Sequence, residues 1–178
     1  MNATPIGSDT QPINTKTASH RTLRFSSLDD ALAEVDRLIG AERTGSLRAT
    51  GNWTIGQALG HLALWINMAY DGYPPQLNPP WIVKQLLRLR KAHYLRADLP
   101  RGFRIPKIPG GTLGIEPLST EEGAARFRAA AQRLRTAPPT APNIIFGPLT
   151  HEEWTRLHLS HATLHLGYFW PSPPPPSA

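Results

Sequence analysis

The chain has 178 residues, enough for one domain with its own core, and 19 lysines and arginines against 13 acidic residues give a net charge of +6. It contains no cysteine, which excludes disulfides, thiolate metal sites and thiol nucleophiles and leaves histidine and carboxylate as the strong metal ligands. No apolar run approaches the roughly eighteen residues of a membrane span, and residues 1–19 lack the apolar stretch of a signal peptide, so a cytoplasmic protein with no membrane partner is expected.

Residues 1–19 show no periodicity and are expected to form a disordered N-terminal tail. The folded unit is expected over residues 20–170, followed by a proline-rich disordered tail, "PSPPPPSA", over 171–178. The first helix start is "SLDD", where Ser27 and Asp30 make a carboxylate version of a capping box ahead of Leu28, Leu32, Val35, Leu38 and Ile39. "TIGQ" (Thr54, Gln57) opens a second helix through Ile55, Leu59, Leu62, Ile66 and Ala69, with a stop at Asp71-Gly72.

Pro80 precedes a short helix expected from Trp81 to His93, and "YLRADLPRGFRIPKIPGGTLGIEP" continues as a long irregular stretch. "STEE" (Ser119, Glu122) opens the third long helix, with Phe127, Ala130, Ala131 and Leu134, stopped by Pro138-Pro139. "THEE" (Thr150, Glu153) opens the fourth. "NIIF" is the best strand candidate, and it is too short and too closely flanked by proline and glycine to predict one. Four capped amphipathic helices read as an all-α helical bundle. The long connection between the second and third permits a crossover.

The crossover carries most of the charge imbalance. Lys84, Arg88, Arg90, Lys91, Arg96, Arg101, Arg104 and Lys107 face one acid, Asp98. A solvated basic face explains such a run, and so does an anionic-ligand site, for which Arg96, Arg101 and Arg104 are the candidates. Nucleic acid is an unlikely partner, because Trp81, Tyr94 and Phe103 are widely spaced and no recognised binding motif is present.

On the last helix Trp154, Leu157, His158, His161, Leu164, His165 and Tyr168 step by three and four and share one face. His161 and His165 project from successive turns, so two ring nitrogens can reach one ion at about 2.0–2.1 Å. The alternative is core histidines bonded to backbone or water. Three imidazoles on one apolar face strain that alternative, since each buried nitrogen needs a partner. His61, at the flank of the second helix's apolar face, is the candidate third ligand, or else a partly exposed interfacial residue. His20 and His93 read as surface residues, and His151 lies in the first turn of the last helix. "HEEWT" is not a zinc-protease motif, because Thr155 stands where the second histidine belongs. Glu152 and Glu153 are explained by helix capping, and no acid–base residue can be named.

"WTIGQALGHL", the following "DG", "FGPLTHEEW" and "HLSHATLHL" together resemble the DinB/YfiT-like superfamily, and within it the branch catalogued as domain of unknown function 1569. The likeness runs from "RFSSLDDAL" to "HLGYF". It implies a DinB-like four-helix bundle with a long crossover and an extra short helix between helices 2 and 3. It also implies a divalent metal held by His61, His161 and His165. Relatives often read H-x-x-H-H-L, whereas Leu164 stands here in the first place of the adjacent pair, which leaves His158 as an orienting residue or a fourth ligand. Zinc or nickel suits imidazole ligands. The resemblance further implies a metal-dependent transferase or isomerase using a low-molecular-weight thiol, or a hydrolase, acting on a small-molecule substrate. A non-catalytic basic binding module with structural histidines is the competing reading. A homodimer is left open.

Overall fold

Each of the four capping signals starts a helix. Ser27, Thr54, Ser119 and Thr150 accept from the amide three residues on, while Asp30, Gln57, Glu122 and Glu153 accept from the amide of the cap residue. Two donors that the first turn would leave orphaned are thereby satisfied at each start. The computed structural model describes residues 12–106 and 108–171. Its elements are α1 (Leu28–Arg43), β1 (Leu47–Ala49), α2 (Ile55–Asp71), α3 (Trp81–Leu89), α4 (Lys91–Tyr94), α5 (Thr120–Thr136), α6 (His151–Leu166) and β2 (Phe169–Pro171). Single 3-10 turns lie at Pro75–Leu77 and Pro109–Gly111.

The four long helices share one core, built from Val35 and Leu38 of α1, Leu59, Leu62 and Ile66 of α2, Phe127 and Leu134 of α5, and Trp154 and Leu166 of α6. Despite the long connection between them, α2 and α5 are packed neighbours. Glycine makes the approach close: a Cβ at Gly123 would stand 2.4 Å from the carbonyl oxygen of Gly56. α6 lies against α2 and α1.

Two expectations are corrected. The protein is mostly helical but not purely so, since β1 pairs antiparallel with β2 and sets Arg48 opposite Trp170. Three-residue strands are too short to show the alternation by which sequence betrays a strand. "NIIF", where no strand was predicted, is a turn closed by a bridge between Asn143 and Gly147. The helix expected from Trp81 to His93 breaks at Arg90, whose φ and ψ of −107° and 16° leave the helical range and divide it into α3 and α4.

The expected tail boundaries both fall inside bonded structure. Ile13 exchanges hydrogen bonds with the Asn52 side chain at 2.7 and 2.9 Å, Thr50 donates to the Ser19 carbonyl, and Tyr168 donates to the Thr15 carbonyl. Pro171, at the other boundary, belongs to β2. Residues 1–11 and 172–178, the rest of both predicted tails, lie outside the described residues.

Candidate metal centre

α2 and α6 carry the predicted ligands, and their packing brings the three together. His61 lies within α2, two turns after the Thr54 cap, and is buried. Its Nδ1 is 2.6 Å from the carbonyl oxygen of Leu113, in the crossover. A carbonyl only accepts, so Nδ1 carries the proton and Nε2 presents a lone pair to the interior. The crossover can run this close because Gly114, at φ 71°, has no Cβ; one there would stand 2.5 Å from Leu64 of α2.

The lone pair of His61 points at the α6 pair. His61 Nε2 is 3.2 Å from His161 Nε2, which is 3.0 Å from His165 Nε2. The ligand atoms of all three lie within 4.8 Å of one another. Three nitrogens at about 2.0–2.1 Å from a tetrahedral ion stand roughly 3.3 Å apart, so these spacings match a shared ion. Hydrogen bonding alone accounts for them less well. His161 Nε2 faces two neighbouring nitrogens and has at most one proton to offer.

The electrostatics favour the ligand form. Burial lowers the His61 pKa to about 4, opposed by its bond to Leu113. Burial also holds His161 and His165 well below the ordinary imidazole range, and the charge each would place on its neighbours adds to it. All three are neutral at pH 7, the state in which imidazole binds metals.

Aromatic rings wall the cluster. Trp53 stacks on His165 at 4.9 Å and 15°, and leans on His61 at 4.9 Å. Trp65 meets His161 edge-on at 5.7 Å, and Tyr73 stands 6.4 Å behind Trp65. Burial pushes the Tyr73 hydroxyl up to about 12, so it keeps its proton. The Trp65 indole N–H is buried and finds no partner among the described residues. His161 and His165 are half-buried and His61 is buried.

Other predicted residues fall elsewhere. His158 is buried and stacks on Trp154 at 5.8 Å and 9°, with Nε2 unpartnered; among the described residues no hydrogen bond ties it to His161 or His165. The contacts that the cluster does make are with Leu113, through its carbonyl, and with Trp53 and Trp65. His20 is not a free surface residue, because its Nε2 pairs with the Leu164 carbonyl at 2.8 Å. His151 Nε2 pairs with the Leu134 carbonyl. Glu153 adds to its cap a bond with Lys91 Nζ at 2.8 Å, and Lys91 first, then the Thr150 amide, holds its carboxyl below the usual range.

The three crossover arginines have separate surroundings. Arg96 lines a groove of about 790 Å³ with Arg24, Asp98, Glu152 and Arg156, against the side of α6 turned away from His161 and His165. Arg101 donates to the Ala18 carbonyl at 3.2 Å. The Arg104 side chain lies along Gly111.

The sequence reading missed the aromatic wall. Trp65 had a signal, four residues after His61 on the same helix face. Trp53 precedes the Thr54 cap, where its direction depends on how the chain enters α2, and Tyr73 follows the end of α2 with no pattern to mark it.

No curated protein and no solved structure matches this chain. A family model described as "Protein of unknown function (DUF1569)" matches residues 17–172, which include every long helix and both strands. The chain belongs to the DUF1569 family.

Proposed function

We propose that the protein is a divalent-metal-dependent enzyme of the DinB-like superfamily, with its four long helices forming that superfamily's bundle. The observation that carries this reading is the convergence of the His61 and His165 Nε2 atoms on that of His161, at 3.2 and 3.0 Å, with all three ligand atoms within 4.8 Å of one another. These residues would hold one ion, zinc or nickel by the chemistry of an all-imidazole set. When bound, an ion with three neutral protein ligands and an open position supplies Lewis-acid chemistry to a small molecule.

The chain's own residues would do the rest. The Leu113 carbonyl keeps the His61 proton on Nδ1 and so fixes the ring's direction. Trp53, Trp65 and Tyr73 exclude water from two sides of the cluster, and a small-molecule substrate would enter by the side of the half-buried His161 and His165. The unpartnered Trp65 N–H and the protonated Tyr73 hydroxyl are donors for a polar group of that substrate. Transfer or isomerisation with a low-molecular-weight thiol, and hydrolysis, are the reaction classes proposed. Of the three crossover arginines, Arg104 is the one proposed to hold an anionic group near the site. It packs on Gly111, two residues from Leu113.

The test is element analysis of protein purified without a metal-affinity tag and reconstituted with zinc, nickel or manganese. About one ion per chain is expected. Less than about a tenth of an equivalent leaves the histidines structural and the enzyme reading without its centre.

A further inference from the structure

α3 (Trp81–Leu89) has no buried residue. Its large apolar side chains stand in water: Trp81 is 71% exposed, Ile82 56%, Leu86 60% and Leu89 84%. Ile82, Leu86 and Leu89 follow one another at four and three residues and form a single stripe, with Trp81 and Val83 at its edges. The half-buried positions of the helix are Lys84 and Leu87, on the opposite side. The helix therefore rests on the body by a side containing a lysine and turns its apolar side outward, the reverse of a helix belonging to a globular core.

The charge around the stripe is one-signed. From Gly72 to Ala97 there is no aspartate or glutamate, while Lys84, Arg88, Arg90, Lys91 and Arg96 fall in that span. Lys91 is bound to Glu153 and Lys84 lies on the side that rests on the body, while Arg88, Arg90 and Arg96 are exposed and, among the described residues, have no ion-pair partner.

We infer that α3 docks the protein on the surface of a bilayer containing anionic phospholipid. A basic helix with Trp and Leu on its apolar side lies in the plane of such a surface, its stripe sunk about 5–10 Å to the acyl boundary and its cations among the headgroups. The rival occupants satisfy one half of the pattern each. Pairing α3 with α3 of a second copy covers the stripe but brings two acid-free segments together, so cations face cations. Nucleic acid answers the cations but leaves the leucines in water. Nine residues are too few to span, and no helix among the described residues is long and apolar enough to cross a membrane, so the contact is with the surface. The sequence expectation of no membrane partner rested on the missing span, which does not bear on surface docking.

Cosedimentation of the full chain with vesicles tests this, and it does not depend on the metal centre. Vesicles of phosphatidylcholine with about 30% phosphatidylglycerol should retain the protein at roughly 0.1 M salt, and vesicles of phosphatidylcholine alone should retain at least about fivefold less. Leu86→Gln with Leu89→Gln keeps good helix formers at exposed positions and should weaken retention by at least about tenfold with an unchanged circular dichroism spectrum. Arg88→Gln with Arg90→Gln should weaken it about fivefold per cation. The proposal is overturned by three results: no retention on anionic vesicles, equal retention of the double leucine variant, or a dimer in sedimentation equilibrium that the leucine variant dissociates.

Discussion

The histidine cluster and α3 depart from ordinary side-chain placement in opposite directions. Between α2 and α6, polar rings are packed inside, where imidazole nitrogens converge behind a wall of tryptophan. On α3, leucine and tryptophan are left outside. Neither arrangement stabilises the isolated chain. A buried nitrogen without a full partner is unfavourable, and exposed apolar area forgoes about 25 cal/mol per Å². The difference lies in what each is missing. The cluster lacks an acceptor of three lone pairs, which an ion would supply, and the helix lacks a cover among the described residues.

The sharpest way to break the comparison is to remove a ligand. His61→Ala, His161→Ala or His165→Ala should each take metal content from about one equivalent to less than a tenth, measured by element analysis, with most of the helical signal kept. The core is supplied by leucine, alanine and aromatic residues and does not need the ion. If any of the three keeps a full equivalent, the ligand set is wrong.

Next in size is the response of the metal-free protein to acid. His61 and His158 have pKa values of about 4 in the folded chain against 6.5 when free. Both stay neutral when folded and take up protons when unfolded, so the unfolded state binds more protons between those values. Stability is therefore full above about pH 6.5 and falls as pH drops toward 4, by on the order of 3 kcal/mol for each of the two histidines. Urea unfolding at steps between pH 7.5 and 4.5 measures it, and a flat profile over that range would show that the rings are solvated.

Trp53→Ala strips the ring that lies on His165 and touches His61 while leaving every ligand in place. Metal affinity should drop about 10- to 100-fold, as losses of ligand-supporting contacts do, read by competition with a chelator. His158→Phe keeps the stack on Trp154 and deletes the unpartnered nitrogen. Metal content should not change, and the melting temperature should rise by about 2–4 °C for each kcal/mol recovered. Loss of the metal in this variant would place His158 among the ligands. The smallest effect belongs to α3, where Leu86→Gln with Leu89→Gln should leave thermal stability within about 0.5 kcal/mol of the parent, because both side chains are mostly exposed.

All four long helices were legible because a capping box is a local event. Ser27, Thr54, Ser119 and Thr150 each close on a partner three residues away, whatever the rest of the chain does. The His161–His165 pair was legible for the same reason, since helical periodicity alone sets two rings on successive turns. The family likeness carried His61 into the set, but its distance to His161 is a matter of helix packing. That distance depends on α6 lying against α2, and on Gly114 letting the Leu113 carbonyl reach the far nitrogen of the ring. Trp53, the pairing of β1 with β2 and the break at Arg90 were likewise decided in three dimensions, by contacts between segments far apart in the chain or too short to carry a period. The sequence marked a short helix after Pro80, and the structure sets Ile82, Leu86 and Leu89 on one face of it. That this face looks outward was decided by the body of the protein, which meets the helix through Lys84 and Leu87.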